Sequence, residues 1–318
     1  MRMVRIQPRW TAGVLIAFGT MILGGCVLLK PMIQRSDHLA LRDSETGILA
    51  GAEPRDLGPS DAPCAILFVH GFVGAGNNFG ELPDRLAADG HFVRVMRLPG
   101  HGTSPLDLVP IAADDLLTAV GDEVRSLKKT HSRVILVGHS MGATLATLIT
   151  AQEGADGLVL AAPYFGVTSR WYYGLSSETW IRLTRPALPW VYKGRLFVQV
   201  NRKEAKRDIV SYRWIPREAG DTLLDLGDRV NKDEVLAAVT CPVLLLHAPG
   251  DIAASPAAAE AAFKKMTSTD KRFVWLNRSN HHIFWDYDRE TVFEAARTFV
   301  AKVSAFEGCI PASPSARL

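Results

Sequence analysis

The sequence has 318 residues, of which 47% are hydrophobic, 36 are basic and 33 are acidic, giving a formal net charge of +3. A chain of this length and apolar content can bury a large core, which excludes a disordered protein. The small net charge and the lack of a zinc-type Cys/His spacing or an RNA-reading motif in the sequence exclude nucleic acid as an expected partner. No metal or organic cofactor is expected.

The first 30 residues are typical of a targeting or anchoring segment. Three arginines precede the apolar run 12–29, and Lys30 closes it. This pattern predicts either a cleaved export signal or a single membrane anchor over residues 1–30, and not a part of the folded body. A third interpretation is an amphiphilic segment that packs on the protein.

A cysteine within this segment suggests lipidation. Residues 23–26 read Leu-Gly-Gly-Cys, which resembles the bacterial lipobox, whose cysteine is acylated after cleavage. Lipidation of Cys26 and an uncleaved anchor are alternatives that would each tether the protein to a membrane. Because the body would then lie beyond the bacterial inner membrane, we expect a periplasmic or extracellular protein of the cell envelope.

From about residue 62, short apolar runs alternate with longer helical patterns. The apolar runs, each typical of a buried strand, are 65–70, 92–98, 134–138, 157–163, 243–248 and 273–277. Helical periodicity occurs at 114–129, 140–152, 255–266 and 289–306. Buried strands separated by helices predict a mostly parallel sheet covered on both faces, which is an α/β doubly wound fold.

The alternation stops after the fourth run and resumes at the fifth. We therefore predict an inserted, mainly helical cap over residues 164–240, with the core formed by 31–163 and 241–308. Basic residues outnumber acidic ones in 164–217, and tryptophans are interleaved among them. Such a surface suits anionic lipid headgroups, which predicts acyl esters delivered from the bilayer as substrates. The alternative is a solvated basic face over an ordinary aromatic core.

A nucleophile pattern lies between the third apolar run and the helix that follows it. Residues 138–142 read Gly-His-Ser-Met-Gly, the G-x-S-x-G pattern in which a strained strand-to-helix turn lifts the serine hydroxyl clear of the sheet. Glycines are expected on both sides of Ser140 because side chains there would clash. The unpaired N–H groups at the start of the helix make the Met141 amide a predicted donor to an oxyanion.

A serine hydroxyl is a poor nucleophile until a base removes its proton, and an acid must orient that base. Asp251 follows a predicted buried strand, and the adjacent His281 and His282 lie in the loop after the last strand. Sites of open α/β sheets gather at this edge. Asp251 is also placed to cap the helix that begins near Ser255. Adjacent histidines cannot easily both face one serine, so one of the pair is expected to be structural.

A second oxyanion donor is expected in the loop 70–74, which follows the first core strand and reads His-Gly-Phe-Val-Gly. The small Gly71 and the turn at Gly74 would let the Phe72 amide approach a reacting carbonyl beside the Met141 amide. Without the serine motif, an ordinary turn at the end of a strand would be the better interpretation of this segment.

Together these motifs resemble the α/β-hydrolase superfamily and, within it, bacterial carboxylesterases and monoacylglycerol lipases, a group that includes the serine aminopeptidase-like domain. The resemblance spans about 62–306 and lies in the motifs 70–74, 98–105, 138–143, 247–256 and 279–286. It implies Ser140 as nucleophile, His281 as general base and acid, and Asp251 as the partner of His281. It also implies the amides of Phe72 and Met141 as the oxyanion hole.

The resemblance favours His281 over His282, because the family pattern reads Ser, Gly, His, apolar, from which residues 279–282 depart twice. It implies a structural role for His101. The implied activity is hydrolysis of carboxylic esters through a seryl acyl-enzyme. Thioesterase, peptidase and acyltransferase reactions use the same triad, and a non-catalytic acyl-binding lipoprotein is a further alternative.

Overall fold

The computed structural model describes residues 29, 31–169, 174–184, 188–194 and 198–305. Cys26 and nearly all of the predicted anchor lie outside these residues, so lipidation and anchoring stay predictions. Among the described residues, no helix is both long and apolar enough to span a bilayer.

A seven-stranded sheet forms the centre of the described structure, and a separate two-stranded hairpin lies outside it. The strands are β1 (Arg55–Leu57), β2 (Cys64–Val69), β3 (Phe92–Val95), β4 (Arg133–His139), β5 (Gly157–Ala161), β6 (Trp190–Tyr192), β7 (Trp214–Pro216), β8 (Val243–His247) and β9 (Lys271–Trp275). The order in the sheet is β1-β3-β2-β4-β5-β8-β9, and β6 pairs with β7. Strand β1 is antiparallel to β3, whereas the other neighbours in the sheet are parallel.

Helices cover both faces of this sheet. They are α1 (Leu82–Ala88), α2 (Ala113–Thr130), α3 (Met141–Glu153), α4 (Ser177–Thr184), α5 (Arg217–Val230), α6 (Asp233–Ala237), α7 (Pro256–Lys265) and α8 (Arg289–Ala305). On one face, Leu67 of β2 belongs to the same apolar cluster as residues of α2, α3 and α7. On the other face, Phe68 clusters with residues of α1 and α8. The predicted doubly wound, mostly parallel architecture is therefore confirmed.

The sequence explains why these elements form. Every residue of β2 and β5 is buried, as expected for parallel strands covered on both faces. The helix α2 carries Asp114 and Asp115 in its first turn and Lys128 and Lys129 in its last, which matches the helix dipole. The Asp115 carboxylate also accepts the Ala112 N–H at 2.8 Å, which satisfies one donor at the start of the helix.

The chain leaves the sheet after β5 and returns to it at β8. These two strands are adjacent and parallel, with Leu158 paired to Val243. The excursion between them contains α4, the β6–β7 hairpin, α5 and α6. The bounds of a separate cap, 164–240, stay a prediction.

Several polar contacts tie the loop between β6 and β7 to the core. The Asn77 side chain donates to the Asp208 carbonyl at 2.6 Å, and the Asn78 side chain donates to the Val210 carbonyl at 3.1 Å. The Tyr212 hydroxyl donates to the Gly100 carbonyl at 3.0 Å. This part of the excursion is therefore fixed over the carboxyl edge of the sheet, where the predicted site residues lie.

Candidate active site

Ser140 lies at a sharp corner between β4 and α3. Its backbone has φ 55° and ψ −121°, a conformation rare for a residue with a side chain. A Cβ atom at Gly138 would lie 2.4 Å from Ala143 Cα, and one at Gly142 would lie 1.8 Å from the Val69 carbonyl oxygen. Both neighbouring glycines are thus required by close backbone packing, and the predicted clash is confirmed.

His281 lies beside Ser140. Its Nε2 atom is 2.9 Å from Ser140 Oγ, and its Nδ1 atom is 2.8 Å from Asp251 Oδ2. Because Nδ1 faces a carboxylate, it carries the proton in the neutral ring, which leaves Nε2 to accept the serine hydroxyl proton. The structure therefore brings together the three side chains predicted from the sequence, in the order hydroxyl, imidazole, carboxylate.

The Asp251 carboxylate is buried, and both of its oxygen atoms accept hydrogen bonds. Its Oδ1 accepts the Ala253 and Ala254 N–H groups at 2.8 and 3.0 Å, and its Oδ2 also lies 3.1 Å from His247 Nε2. Burial alone would raise the pKa of Asp251, but the charge of His281 and the hydrogen bonds from His247 and His281 outweigh it and hold the pKa well below its usual value.

The alternative role of Asp251 as cap of the following helix is wrong. The residue before α7 is Ser255, and its hydroxyl accepts the Ala258 N–H at 3.2 Å. Asp251 instead orders the turn that leads toward this helix while facing His281. The sequence could not separate these roles, because both place an acid shortly after a buried strand.

The two adjacent histidines have different surroundings. The backbone N–H of His282 donates to the Gln199 carbonyl at 3.0 Å, and its ring centre lies 5.6 Å from that of His281. Burial, followed by the electrostatic effect of the neighbouring His139 and His281 rings, lowers the pKa of His282 well below its usual value, so its ring is neutral near pH 7. Of the pair, His281 is the one in contact with both Ser140 and Asp251.

The histidine within the serine motif supports the His281 loop. His139 is buried, and its Nε2 lies 3.1 Å from the His281 carbonyl oxygen, to which it donates. Burial lowers the pKa of His139 to about 3. This ring therefore joins the end of β4 to the loop after β9 as a neutral donor.

The loop 70–74 packs directly against the corner at Ser140. A Cβ atom at Gly71 would lie 3.0 Å from Ser140 Cβ, so the backbone approaches the serine closely. The Gly74 N–H donates to the Gly71 carbonyl at 3.1 Å, and this turn carries Phe72 to the cavity wall beside Ser140. Met141 is the first residue of α3, where an amide has no intrahelical acceptor.

His101, expected to be structural, has its polar contact with the loop that follows β3. Its Nδ1 is 2.9 Å from the Pro99 carbonyl oxygen, and its ring lies 5.2 Å from that of His70. It stabilises the loop after β3 and does not line the cavity that contains Ser140.

Ser140 opens into a cavity of about 350 Å³ roofed by the excursion. Apolar lining residues include Phe72, Val167, Ile181, Val191, Ile215 and Leu223. Polar side chains of Asn78, Lys193, Gln199, Ser211 and His282 also line it. Across the described ranges, no group of three or more His, Cys, Asp or Glu side chains is arranged to hold a metal ion.

Two contributors to the site were not predicted. Asp286 is fully buried, and its carboxylate accepts backbone N–H groups of Asn201, Arg202 and Asn280 at 2.7 to 3.0 Å. It thereby joins the excursion to the loop that carries the histidine. His247 contacts Asp251 from the end of β8. Asp286 lies in the motif 279–286 and His247 in the motif 247–256, and these motifs are the sequence signal that could have identified them.

The comparison with protein families agrees with this geometry. Residues 61–288 match the family model Hydrolase_4, described as serine aminopeptidase, S33. The chain belongs to this family. The family resemblance inferred from the motifs is therefore confirmed.

Proteins similar to this chain are named for ester hydrolysis. The thermostable monoacylglycerol lipase of Bacillus sp. (strain H-257) is 28% identical over 258 residues, which cover 80% of this chain and 96% of the lipase. A carboxylesterase of Bacillus subtilis (strain 168) is 21% identical over 243 residues, covering 75% of this chain and 93% of that protein.

Solved structures share the fold. A structure described with the metagenome-derived lipolytic enzymes LipS and LipT superposes with a TM-score of 0.71 at 24% identity, covering 80% of this chain and 99% of its own. The monoacylglycerol lipase of Paleococcus ferrophilus gives a TM-score of 0.66 at 19% identity and covers 79% of this chain and 98% of its own. At these identities the likeness establishes the α/β-hydrolase fold.

Proposed function

We propose that the protein hydrolyses carboxylic esters through a seryl acyl-enzyme. The observation that carries the proposal is the continuous chain of contacts from Ser140 Oγ through His281 to Asp251. His281 Nε2 takes the hydroxyl proton as Ser140 Oγ attacks the ester carbonyl carbon, and it returns that proton to the departing alkoxide. A water molecule, deprotonated by the same Nε2, then attacks the acyl-serine and releases the acid.

Two amides are assigned to the negative oxygen of the tetrahedral intermediate. Phe72 lies in the loop that packs against Ser140. Met141 is the first residue of α3, the helix that follows Ser140. Their N–H groups supply preorganised donors, each worth about 3 kcal/mol of transition-state stabilisation.

Asp251 keeps the imidazole in the reactive tautomer. Because the pKa of Asp251 is held well below its usual value, it is a carboxylate at neutral pH and accepts a hydrogen bond from His281 Nδ1–H. Its negative charge also stabilises the imidazolium that forms when His281 takes the serine proton.

The cavity favours esters over peptides with a free terminal amine. An aminopeptidase needs a carboxylate or a comparable acceptor to hold the ammonium group of its substrate. The described residues that line the cavity include apolar side chains and Lys193 but no Asp or Glu. Together with the ester-hydrolysing relatives, this lining supports an acyl ester with an apolar chain as substrate.

A fluorophosphonate probe and the reactive side chains test this proposal. We expect the probe to label the full-length protein in detergent and to leave the Ser140→Ala variant unlabelled. His281→Ala should lower kcat on 4-nitrophenyl butyrate by about 10⁴-fold or more, because the nucleophile loses its base. His282→Ala is the matched control and should retain far more activity, since this ring does not contact Ser140.

Two outcomes would contradict the assignment. An unlabelled wild-type protein would favour the non-catalytic acyl-binding alternative. Equal losses in the two histidine variants, with both folded, would remove His281 from its assigned role.

A further inference from the structure

Lys193 brings a positive charge to the wall of the cavity that contains Ser140. It follows β6, and its backbone N–H donates to the Arg213 carbonyl at 2.7 Å, which fixes its position on the hairpin. Its Nζ atom donates to Ser211 Oγ at 3.1 Å. In the described part of the chain, no carboxylate forms an ion pair with Lys193, and the segments 170–173, 185–187 and 195–197 contain no acidic residue.

The groups near this ammonium are neutral or basic. His282 lines the same wall, is neutral near pH 7, and its buried Nδ1 atom has no hydrogen-bond partner among the described residues. Gln199 and Ser211 add uncharged polar groups. An ammonium removed from water is stabilised most by an anion, whereas the described lining offers Lys193 a neutral hydroxyl and no carboxylate.

Burial has a measurable consequence for the lysine. It lowers the pKa of Lys193 to about 8, so the side chain is mostly protonated at neutral pH and loses its charge within a range accessible to kinetics. The other titratable residues that line the cavity are Tyr164, Tyr192, His139, His281 and His282, and Arg213 lies opposite Lys193 on the hairpin.

We propose that the cavity accepts esters that carry a carboxylate or phosphate group away from the reacting carbonyl, and that Lys193 binds this anionic group. The proposal rests on the proposed ester hydrolysis and specifies its substrate class. The apolar lining holds the hydrocarbon part of such a substrate, while Lys193 and its polar neighbours bind the charged end.

Two matched substrate pairs test the proposal on full-length protein in a non-ionic detergent. For a carboxylate on the acyl side, 4-nitrophenyl hydrogen glutarate is compared with 4-nitrophenyl pentanoate. For a phosphate on the alcohol side, 1-lauroylglycerol 3-phosphate is compared with 1-lauroylglycerol. The preference is the ratio of kcat/KM for the anionic ester to that for its neutral partner, measured for each pair.

Three variants accompany the wild type. Lys193→Met removes the charge at similar length and should reduce the preference about ten- to hundredfold in the pair that fits, with little change on the neutral ester. Lys193→Arg keeps a charge and should retain the preference. Lys203→Met, an exposed lysine of the same excursion outside the cavity, should leave both esters unchanged.

The pH dependence separates binding by the charge from a structural role of the side chain. The wild-type preference should fall as the pH rises through about 8, because kcat/KM reports ionisations of the free enzyme and Lys193 loses its proton there. An effect of pH on the reacting groups themselves acts on both esters of a pair and cancels in the ratio. In Lys193→Arg the preference should persist above this pH, since the guanidinium stays charged.

The possible results distinguish a failure of this inference from a failure of the proposed ester hydrolysis. A preference below one for both pairs, or a Lys193→Met variant that slows anionic and neutral esters equally, overturns the inference while leaving ester hydrolysis intact. Absence of Ser140-dependent turnover on every ester would instead overturn the proposed function itself. The pair that responds identifies whether the anion belongs to the acyl or the alcohol side.

Discussion

At the scale of single residues, buried histidines determine how the protein responds to acid. His70 is fully buried, its Nδ1 lies 3.0 Å from the Gly71 carbonyl oxygen, and its Nε2 accepts the Leu98 N–H at 3.1 Å. One ring nitrogen must donate and the other must accept, so only the neutral ring satisfies both contacts. Burial lowers the pKa of His70 to about 3.

Other buried histidines share this property. Burial lowers the pKa of His101 to about 4 and that of His139 to about 3, and the pKa of His282 is also well below its usual value. In the unfolded chain each of these groups takes up a proton as the pH falls below about 6.5. The native state excludes those protons, so this part of its stability is present above that pH and is lost below it.

We therefore expect the free energy of unfolding to decrease between about pH 6.5 and pH 5, by at most about 1.4 kcal/mol per pH unit for each of the four histidines. Urea unfolding of the full-length protein in detergent measures this slope. His70→Gln should make the slope shallower, whereas the exposed His38→Gln should leave it unchanged. A stability that does not change over this range would contradict the neutral assignment.

At the scale of secondary-structure elements, the corner between β4 and α3 depends on two glycines, because a Cβ atom at Gly138 would clash with the start of α3 and one at Gly142 would clash with the end of β2. Gly142→Ala would place a Cβ atom 1.8 Å from the carbonyl oxygen of Val69, the last residue of β2. We expect this substitution to destabilise the protein by about 3 kcal/mol or more and to abolish hydrolysis.

Gly220→Ala is a matched control within α5, where the added Cβ atom meets nothing within 4 Å. This substitution should preserve activity and stabilise the helix by up to about 1 kcal/mol, because alanine favours helix more than glycine. Thermal unfolding and 4-nitrophenyl butyrate turnover of both variants check the pair. Similar behaviour of the two would show that the close approach at Gly142 is not limiting.

The sequence predicted the central strands because strands buried on both faces carry continuous apolar runs. The run 65–70 corresponds to β2 and the run 273–277 to β9, with shifts of one or two residues at their ends. Strand β1 was not predicted, because its three residues, Arg55–Leu57, lie at the sheet edge and include two charged side chains. An edge strand needs no continuous apolar run, so the pattern carries no trace of it.

The site was predictable to the extent that its residues lie in local motifs. Ser140 is marked by its own flanking glycines. Choosing between His281 and His282 needs the direction in which each ring points, which the sequence alone does not contain. The role of Asp286 depends on Asn201 and Arg202, more than 80 residues away in the chain, so no local pattern reveals it.

At the largest scale, the chain just after residue 30 lies beside the hairpin that borders the cavity. A helical segment over 31–38 precedes the first strand, and Ile33 is fully buried there. Ile33 borders a shallow hollow together with Arg213 and Trp214 of the β6–β7 hairpin. On the same hairpin, Tyr192 is 56% exposed and also lines the cavity.

We infer that a tether in residues 1–30 holds this hairpin and the cavity beside it near the membrane, where apolar acyl esters concentrate. Full-length protein expressed in a bacterial host should be recovered in the membrane fraction. Labelled palmitate distinguishes the two forms of tether. A lipoprotein incorporates the label and loses it in the Cys26→Ser variant, whereas an uncleaved anchor stays unlabelled and resists carbonate extraction. Recovery in the soluble fraction would contradict both.

Besides covering the cavity, the excursion contacts the loop that carries His281 through the buried carboxylate of Asp286. This carboxylate fastens Asn201 and Arg202 to Asn280, the neighbour of the reactive imidazole, so the placement of that ring depends on chain far removed from the sheet. Shortening the excursion to a linker would retain Ser140, His281 and Asp251. It would remove the Asn201 and Arg202 amides, which share the Asp286 carboxylate with the loop that carries His281. We therefore expect changes in the excursion to alter both substrate selectivity and reactivity unless those three amides keep Asp286 as their shared acceptor.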